Sequence, residues 1–276
     1  MIVRSKNIKR LILYIILIVV FLFWAVPILW MISSSFKNDV DSFSTVPKLI
    51  FTPTLANYRD AFFTRGIIKN FINSVVIASL SSFFGIIIGT PAAYALSRFN
   101  LRRKEDLYFW FLTTRIAPPT LSALPFFLLS RYAGLYDSRA ILIIVYTLMN
   151  LSWVVWMMRS FFDELPGELD ESAMVDGCNR VTALIRIVLP LSRPGLIATA
   201  IFCVVISWNE YFFALILTNV KAQTLPAAIT SFLTIHGLLW GQMCAIGTIV
   251  MLPILIFIFL TQRQLVRGLT MGSVKA

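Results

Sequence analysis

The sequence predicts an all-α integral membrane protein with six transmembrane helices, folded as one domain over residues 1–276. Three observations predict it. Hydrophobic residues make up 58% of the chain and charged residues only 13%, about half the charged share of a soluble domain. Mean hydropathy is +0.83. Apolar runs long enough to cross a bilayer recur along the chain and do not alternate in polarity, as the strands of a membrane barrel would. A soluble fold of this length has no core large enough to hide so much apolar surface. An ordinary cytosolic enzyme, a disordered protein and a secreted disulfide scaffold are therefore excluded.

The first run covers residues 11–32, 22 residues without a charge. At about 1.5 Å per residue it spans about 33 Å, the thickness of a bilayer core. Arg4, Lys6, Lys9 and Arg10 precede it, and Ser33 and Ser35 imitate a cleavage site. Cleavable signal segments have shorter apolar cores, so the run reads as an uncleaved first helix. The loop at 33–70 carries Pro47 and Pro53 and reads as irregular, with short interfacial pieces. Further spans are expected at 71–96, 107–130, 140–158, 196–218 and 239–260. In the second, Gly85, Gly89 and Ala93 have the small-xxx-small spacing that lets helices approach closely.

Orientation follows from the basic residues. With the N-terminus cytoplasmic, inner segments carry 15 Lys and Arg and outer ones 8, which puts both ends inside. The net charge of +11 is then topogenic. No basic run is interleaved with aromatics, so nucleic-acid binding is not expected. Cys178, Cys203 and Cys244 lack CxxC partners and read as small buried residues. His236 reads as an outer surface residue.

The large inner loop, 159–195, holds six of the thirteen acids: Asp163, Glu164, Glu168, Asp170, Glu171 and Asp176. Pro166 and Gly167 break the preceding helix. Glu168, Asp170 and Glu171 suit the first turn of a new one, where acids face the positive dipole end. Gly177 supplies the left-handed residue that ends it. A second helix follows, with Val181, Leu184, Ile185 and Val188 on one stripe, closed by Pro190 and Pro194. Spacing alone leaves two readings open: a docking element, or an interfacial hairpin that only stabilises the bundle.

Glu171-Ser172-Ala173, Gly177 and Ile187-Val188-Leu189-Pro190 resemble the EAA loop of ABC-importer permeases, with three and nine residues between the anchors. Ser172 stands where the pattern has Ala. Trp208-Asn209-Glu210-Tyr211 with Thr224-Leu225-Pro226 resembles the carbohydrate-importer permeases of the maltose-permease (MalG-like) type. Gln262-Arg263 and the segment 265–275 look like the tail of the shorter permease subunit in that group, with Met271 in place of the usual Ala. The resemblance covers essentially the whole chain from Asn57-Tyr58 onward.

That resemblance implies an ABC type I importer permease fold in a bacterial inner membrane. It implies that the short helix with Leu169, Asp170, Glu171, Ala173, Met174, Asp176 and Gly177 couples to a cytoplasmic ATPase, together with Arg267 and Gly268 of the tail, 261–276. Implied partners are a second permease subunit in a heterodimer, two ATPase subunits, a substrate-binding protein touching the outer loop 219–238, and a sugar or polyol. The chain has no GxxxxGK[ST], so ATP and Mg are expected on the partner. No cofactor and no metal are expected here.

Arg115 and Glu210 lie deep in spans, where a charge costs at least about 2.5–3.5 kcal/mol. With Asn209 and Tyr211 they are candidates for the substrate path. The other reading pairs each with a companion subunit or with backbone freed at a break. Trp208, Tyr211 and Phe212 suit stacking on a sugar ring and equally suit packing. A stand-alone secondary transporter would want more spans and an inverted repeat. An intramembrane enzyme would want HExxH, GxSxG or paired carboxylates, none of which occurs.

Overall fold

The computed structural model describes residues 2–64, 66–234 and 237–270. It is helical almost throughout. In chain order the helices are α1 (Ile2–Ser35), α2 (Asp39–Ser42), α3 (Ala56–Arg59, continued by a π turn at Asp60–Thr64), α4 (Ile67–Arg98), α5 (Lys104–Ile116), α6 (Pro119–Tyr132) and α7 (Arg139–Asp163). Then come α8 (Glu168–Val175), α9 (Arg180–Ala183, with a π stretch at Leu184–Val188), α10 (Leu189–Leu191), α11 (Arg193–Asn209), α12 (Phe212–Leu217) and α13 (Leu225–Ala228). After a 3-10 turn, a two-stranded antiparallel ribbon, β1 (Leu233–Thr234) and β2 (Gly237–Leu238), leads into α14 (Trp240–Thr270).

The chain forms two compact units: Met1–Ile67 with Ile229–Leu252, and Ile68–Ala228 with Pro253–Ala276. In the smaller unit the irregular loop after α1 is held by Asn57, whose Nδ2 donates to the carbonyls of Ser35 at 2.9 Å and Lys37 at 2.7 Å. The hydroxyls of Ser35 and Tyr58 share a hydrogen bond of 2.8 Å. Lys37 is buried, its ammonium 4.0 Å from the Trp30 ring centre.

Among the described residues, four helices are long and apolar enough to cross a membrane: Arg10–Ser35, Ile67–Arg98, Arg139–Asp163 and Trp240–Phe257. A fifth candidate, Arg180–Leu191 with Arg193–Asn209, is bent by 85°. The six apolar runs read from the sequence thus differ from the helices in two places. The third is divided into α5 and α6, of 13 and 14 residues, each about 20 Å at 1.5 Å per residue. Ala117 is extended ahead of Pro118, as the residue before a proline tends to be, and Pro119 restarts the helix in its first turn. The fifth run stops at Glu210, which is extended (φ −67°, ψ 123°), and resumes as α12.

The core of the larger unit is built on α7. One cluster joins Ile77, Leu142, Val145, Tyr146, Phe213 and Leu217. A second joins Ala93, Tyr94, Val154, Met158, Phe162, Leu184, Val188 and Cys203. The small-residue stripe of α4 performs the close approach its spacing suggests. A Cβ on Gly85 would lie 2.9 Å from Asn150 Cβ, and one on Gly89 would lie 2.7 Å from Val154 Cγ1. Ala93 is fully buried on the same face. Where α4, α7 and α11 meet, Asn150 Nδ2 donates to Ser207 Oγ at 2.9 Å and Ser81 Oγ donates to the same oxygen at 3.2 Å.

Candidate functional site

The polar loop at 159–195 opens with the short helix its residues suggest. Helix α8 carries Glu168, Asp170 and Glu171 in its first turn. It ends at Gly177 with φ +86°. The Gly177 N–H donates to Met174 O at 3.1 Å and the Cys178 N–H to Ala173 O at 2.9 Å. This pair of bonds is a Schellman closure, and its left-handed residue strongly favours glycine.

The two faces of α8 differ. Asp170 and Ala173 are buried, while Glu171, Val175, Asp176 and Gly177 are exposed and Leu169 and Met174 half-buried. Asp170 reaches back to the end of α4. Its Oδ2 lies 2.8 Å from Arg98 Nε, an ion pair that is not aligned as a hydrogen bond. The Tyr94 hydroxyl donates to Oδ1, and Arg98 also donates to Leu165 O at 2.9 Å. The stripe expected at 181–188 divides: Leu184 and Val188 enter the core, but Val181 and Ile185 are 65% and 58% exposed. With Val175 at 88%, they leave apolar side chains uncovered around the turn. Arg267 and Gly268 belong to the helical backbone of α14; their side chains, the segment 271–276 and His236 lie outside the described residues. The expected tail is thus helical through Thr270.

The second candidate site sits at the two breaks. The Arg115 guanidinium lies 5.4 Å from the Trp153 ring centre. It borders a cavity of about 350 Å³ with Leu112, Ile116, Ser152, Trp153 and Trp156. A second cavity of about 320 Å³ is lined by Arg115, Thr114, Ser122, Ser152, Phe126 and Phe213, among others. Glu210 adjoins the same cavity through Phe213, whose N–H it accepts, though no ion pair under 4.0 Å joins it to Arg115 among the described residues. The Glu210 carboxylate instead accepts the N–H groups of Phe213 at 2.9 Å and Ala214 at 3.3 Å. It caps α12, meeting donors that the break frees. Asn209 is exposed and bonds back to Val205 O at 2.8 Å. Tyr211 is 40% exposed, whereas Trp208 is buried edge-on against Phe71. The structure therefore brings Arg115 and Glu210 into one region and gives Glu210 a structural bond of its own.

Sequence reasoning missed Tyr94 and Arg98, which stand 76 and 72 residues from Asp170. It also missed Asp137, whose carboxylate accepts the N–H groups of residues 219–222. A single acid between two apolar spans, in a chain with thirteen acids, is the signal that marks it.

The comparisons agree with this architecture. The family model described as binding-protein-dependent transport system inner membrane component matches residues 85–271. A probable ABC transporter permease protein of Sinorhizobium fredii, y4oR, is 39% identical over 261 residues, covering 92% of this chain and 94% of that protein. The trehalose/maltose transport system permease protein MalG of Thermococcus litoralis is 33% identical over 276 residues, covering 99% of each. A chain from the crystal structure of a bacterial ABC transporter involved in the import of the acidic polysaccharide alginate superimposes with a TM-score of 0.78 at 22% identity, covering 94% of this chain and 97% of that one. The chain belongs to the family of inner membrane components of binding-protein-dependent transport systems, the membrane permeases of ABC importers.

Proposed function

We propose that this chain forms half of the translocation pathway of an ATP-driven importer for a sugar or sugar-like solute. The observation that carries the coupling role is α8, a short acidic helix closed by Gly177 and tied by Asp170 to Arg98 of a membrane helix. That tie makes α8 a lever. A force on its exposed face passes into α4 through an ion pair of low exposure. The exposed Val175, Val181 and Ile185 are apolar, as a seat in a partner's groove requires. ATP and Mg belong to two ATPase subunits, and a second permease subunit completes the pore. The membrane part then moves between discrete packings, as rigid-body transport requires. Both termini face the cytoplasm on the basic-residue count. The chain itself performs no catalysis.

The solute class is supported by relatives named for trehalose/maltose, diacetylchitobiose and sulfoquinovosyl glycerol. Arg115 favours a second reading, in which the solute carries an anionic group. Its guanidinium lines both cavities, where few other charges offset it. Uptake by proteoliposomes holding the whole complex tests the coupling role. Gly177→Val, a β-branched residue that resists positive φ, is expected to lower solute uptake sharply while ATP hydrolysis persists; unchanged uptake would contradict it.

A further inference from the structure

The segment that follows α12 is held from two sides, both within the larger unit. Asp137, between α6 and α7, provides the first hold. Its carboxylate accepts the N–H groups of Asn219 at 2.9 Å, Val220 at 3.2 Å, Lys221 at 3.0 Å to each oxygen, and Ala222 at 3.1 Å. Its own N–H donates to Leu217 O at 3.1 Å. Successive amides converging on one anion form a nest, and here the chain supplies its own anion. Asp137 has φ +57°, a region that Asp and Asn tolerate better than other side chains.

The second hold comes from α4. Asn73 Nδ2 donates to the carbonyls of Lys221 at 3.1 Å and Gln223 at 3.0 Å. Asn70 donates to Gln223 O at 3.0 Å, and Ser74 Oγ accepts the Leu225 N–H at 2.7 Å. Arg139 Nε, 2.7 Å from Asn73 Oδ1, sets the orientation of that amide. Residues 218–224 thus have no helix or strand, yet the N–H groups of 219–222 meet a carboxylate and the carbonyls of Lys221 and Gln223 meet amides. What points outward is the side chains of Asn219, Val220 and Lys221, with Val220 68% exposed. Lys69 stands beside them, its ammonium 3.3 Å from Val220 O. Such a segment is ordered before any partner arrives, and the ordering entropy, about 1–2 kcal/mol per residue for backbone, is not charged to association.

We propose that Asp137 is a positioning residue that holds segment 218–224 in the shape to which the extracytoplasmic substrate-binding protein docks. Val220 and Lys221 are the side chains it presents, and they fit an apolar patch bordered by acids. The inference rests on the transport reading above and adds the residue that shapes the contact.

The test uses the complete transporter in lipid nanodiscs with its substrate-binding protein. Amide exchange at residues 219–222 and ATP hydrolysis against binding-protein concentration are read together. Asp137→Asn keeps a residue suited to positive φ but removes the charge. It is expected to speed exchange at 219–222 and to raise the half-saturating binding-protein concentration by about tenfold, the scale of one hydrogen bond to a charged group. Maximal stimulated and basal hydrolysis stay unchanged. Lys221→Glu, which leaves the nest intact, is expected to raise the half-saturating concentration without altering exchange. Faster exchange in Asp137→Asn with an unchanged half-saturating concentration would overturn the proposal, as would unchanged exchange. An Asp137→Asn complex that fails to assemble leaves Lys221→Glu to decide, and an unchanged half-saturating concentration there overturns it. A wild-type complex that no binding protein stimulates overturns the transport reading itself and this inference with it.

Discussion

Arg98 and Asp170 form an ion pair of 2.8 Å with side chains 12% and 5% exposed, joining the end of α4 to the short helix α8. Tyr94 bonds the second carboxylate oxygen. Removing one member of a buried pair leaves the other charge uncompensated and destabilises by about 3–5 kcal/mol. Arg98→Ala is therefore expected to lower the melting temperature of the purified complex, and Arg98→Ala with Asp170→Ala to restore part of the loss. Thermal denaturation of the two variants side by side checks this.

Gly177 sets the end of α8. No atom lies within 4 Å of a Cβ placed there, so a substitution acts through backbone strain alone, about 1–2 kcal/mol for an ordinary residue. Asn, which visits the left-handed region more readily, is expected to retain more transport than Ala. Uptake rates for Gly177→Asn and Gly177→Ala give the order, and equal rates would point to a role other than conformation.

Gly89 presents the opposite case. Its Cβ position is 2.7 Å from Val154 Cγ1, so Gly89→Ala overpacks α4 against α7 by about 1–3 kcal/mol. Val154→Ala in the same chain is expected to recover most of that. A double-mutant cycle on melting temperature measures the coupling, and simple additivity would place the two residues out of contact.

Much of this was legible in the sequence, and the reasons are local. Gly177 follows an acidic eight-residue helix, and a glycine there has one ready explanation. Gly85 and Gly89 lie on one face at i, i+4. The helix breaks were harder. Pro118-Pro119 and Glu210 sit inside apolar runs whose hydropathy continues across them, so a composition window reads through both. Asp170 was legible as a first-turn acid but not as a buried one, because Arg98 is distant in sequence. Val181 and Ile185 share a periodic stripe with Leu184 and Val188 and yet stay uncovered, since periodicity marks an apolar face without saying what covers it.

Glu210 is expected to act first as a helix cap. Glu210→Gln keeps an acceptor for the Phe213 N–H, whereas Glu210→Ala loses both bonds to α12 at about 0.5–2 kcal/mol. If the residue also meets solute beside Arg115, Glu210→Gln changes the half-saturating solute concentration while leaving stability near wild type. Stability and uptake measured on both variants separate the two roles.

Acidification should release segment 218–224. Burial pushes the Asp137 carboxyl up, but the backbone N–H groups of Asn219, Lys221, Ala222 and Val220 outweigh it and hold the group below its ordinary value. A depressed carboxyl contributes stability that is complete above the unfolded value, about 4, and is lost as pH falls through the folded one. Lys221, Lys69, Arg139 and Arg131 are the cations on the surrounding elements. Amide exchange at 219–222, corrected for its intrinsic pH dependence, is expected to stay flat from about pH 8 to 5 and to rise below about 4. Asp137→Asn should show no such rise.

Cross-linking from Val175, the most exposed apolar side chain of α8 at 88%, tests the central claim most directly. In native membranes, Val175→Cys carrying a short bifunctional reagent is expected to capture an ATP-hydrolysing subunit, with a yield that changes when ATP is added. Cross-links to other membrane components only, or none in a complex that still takes up solute, would contradict the coupling role of α8.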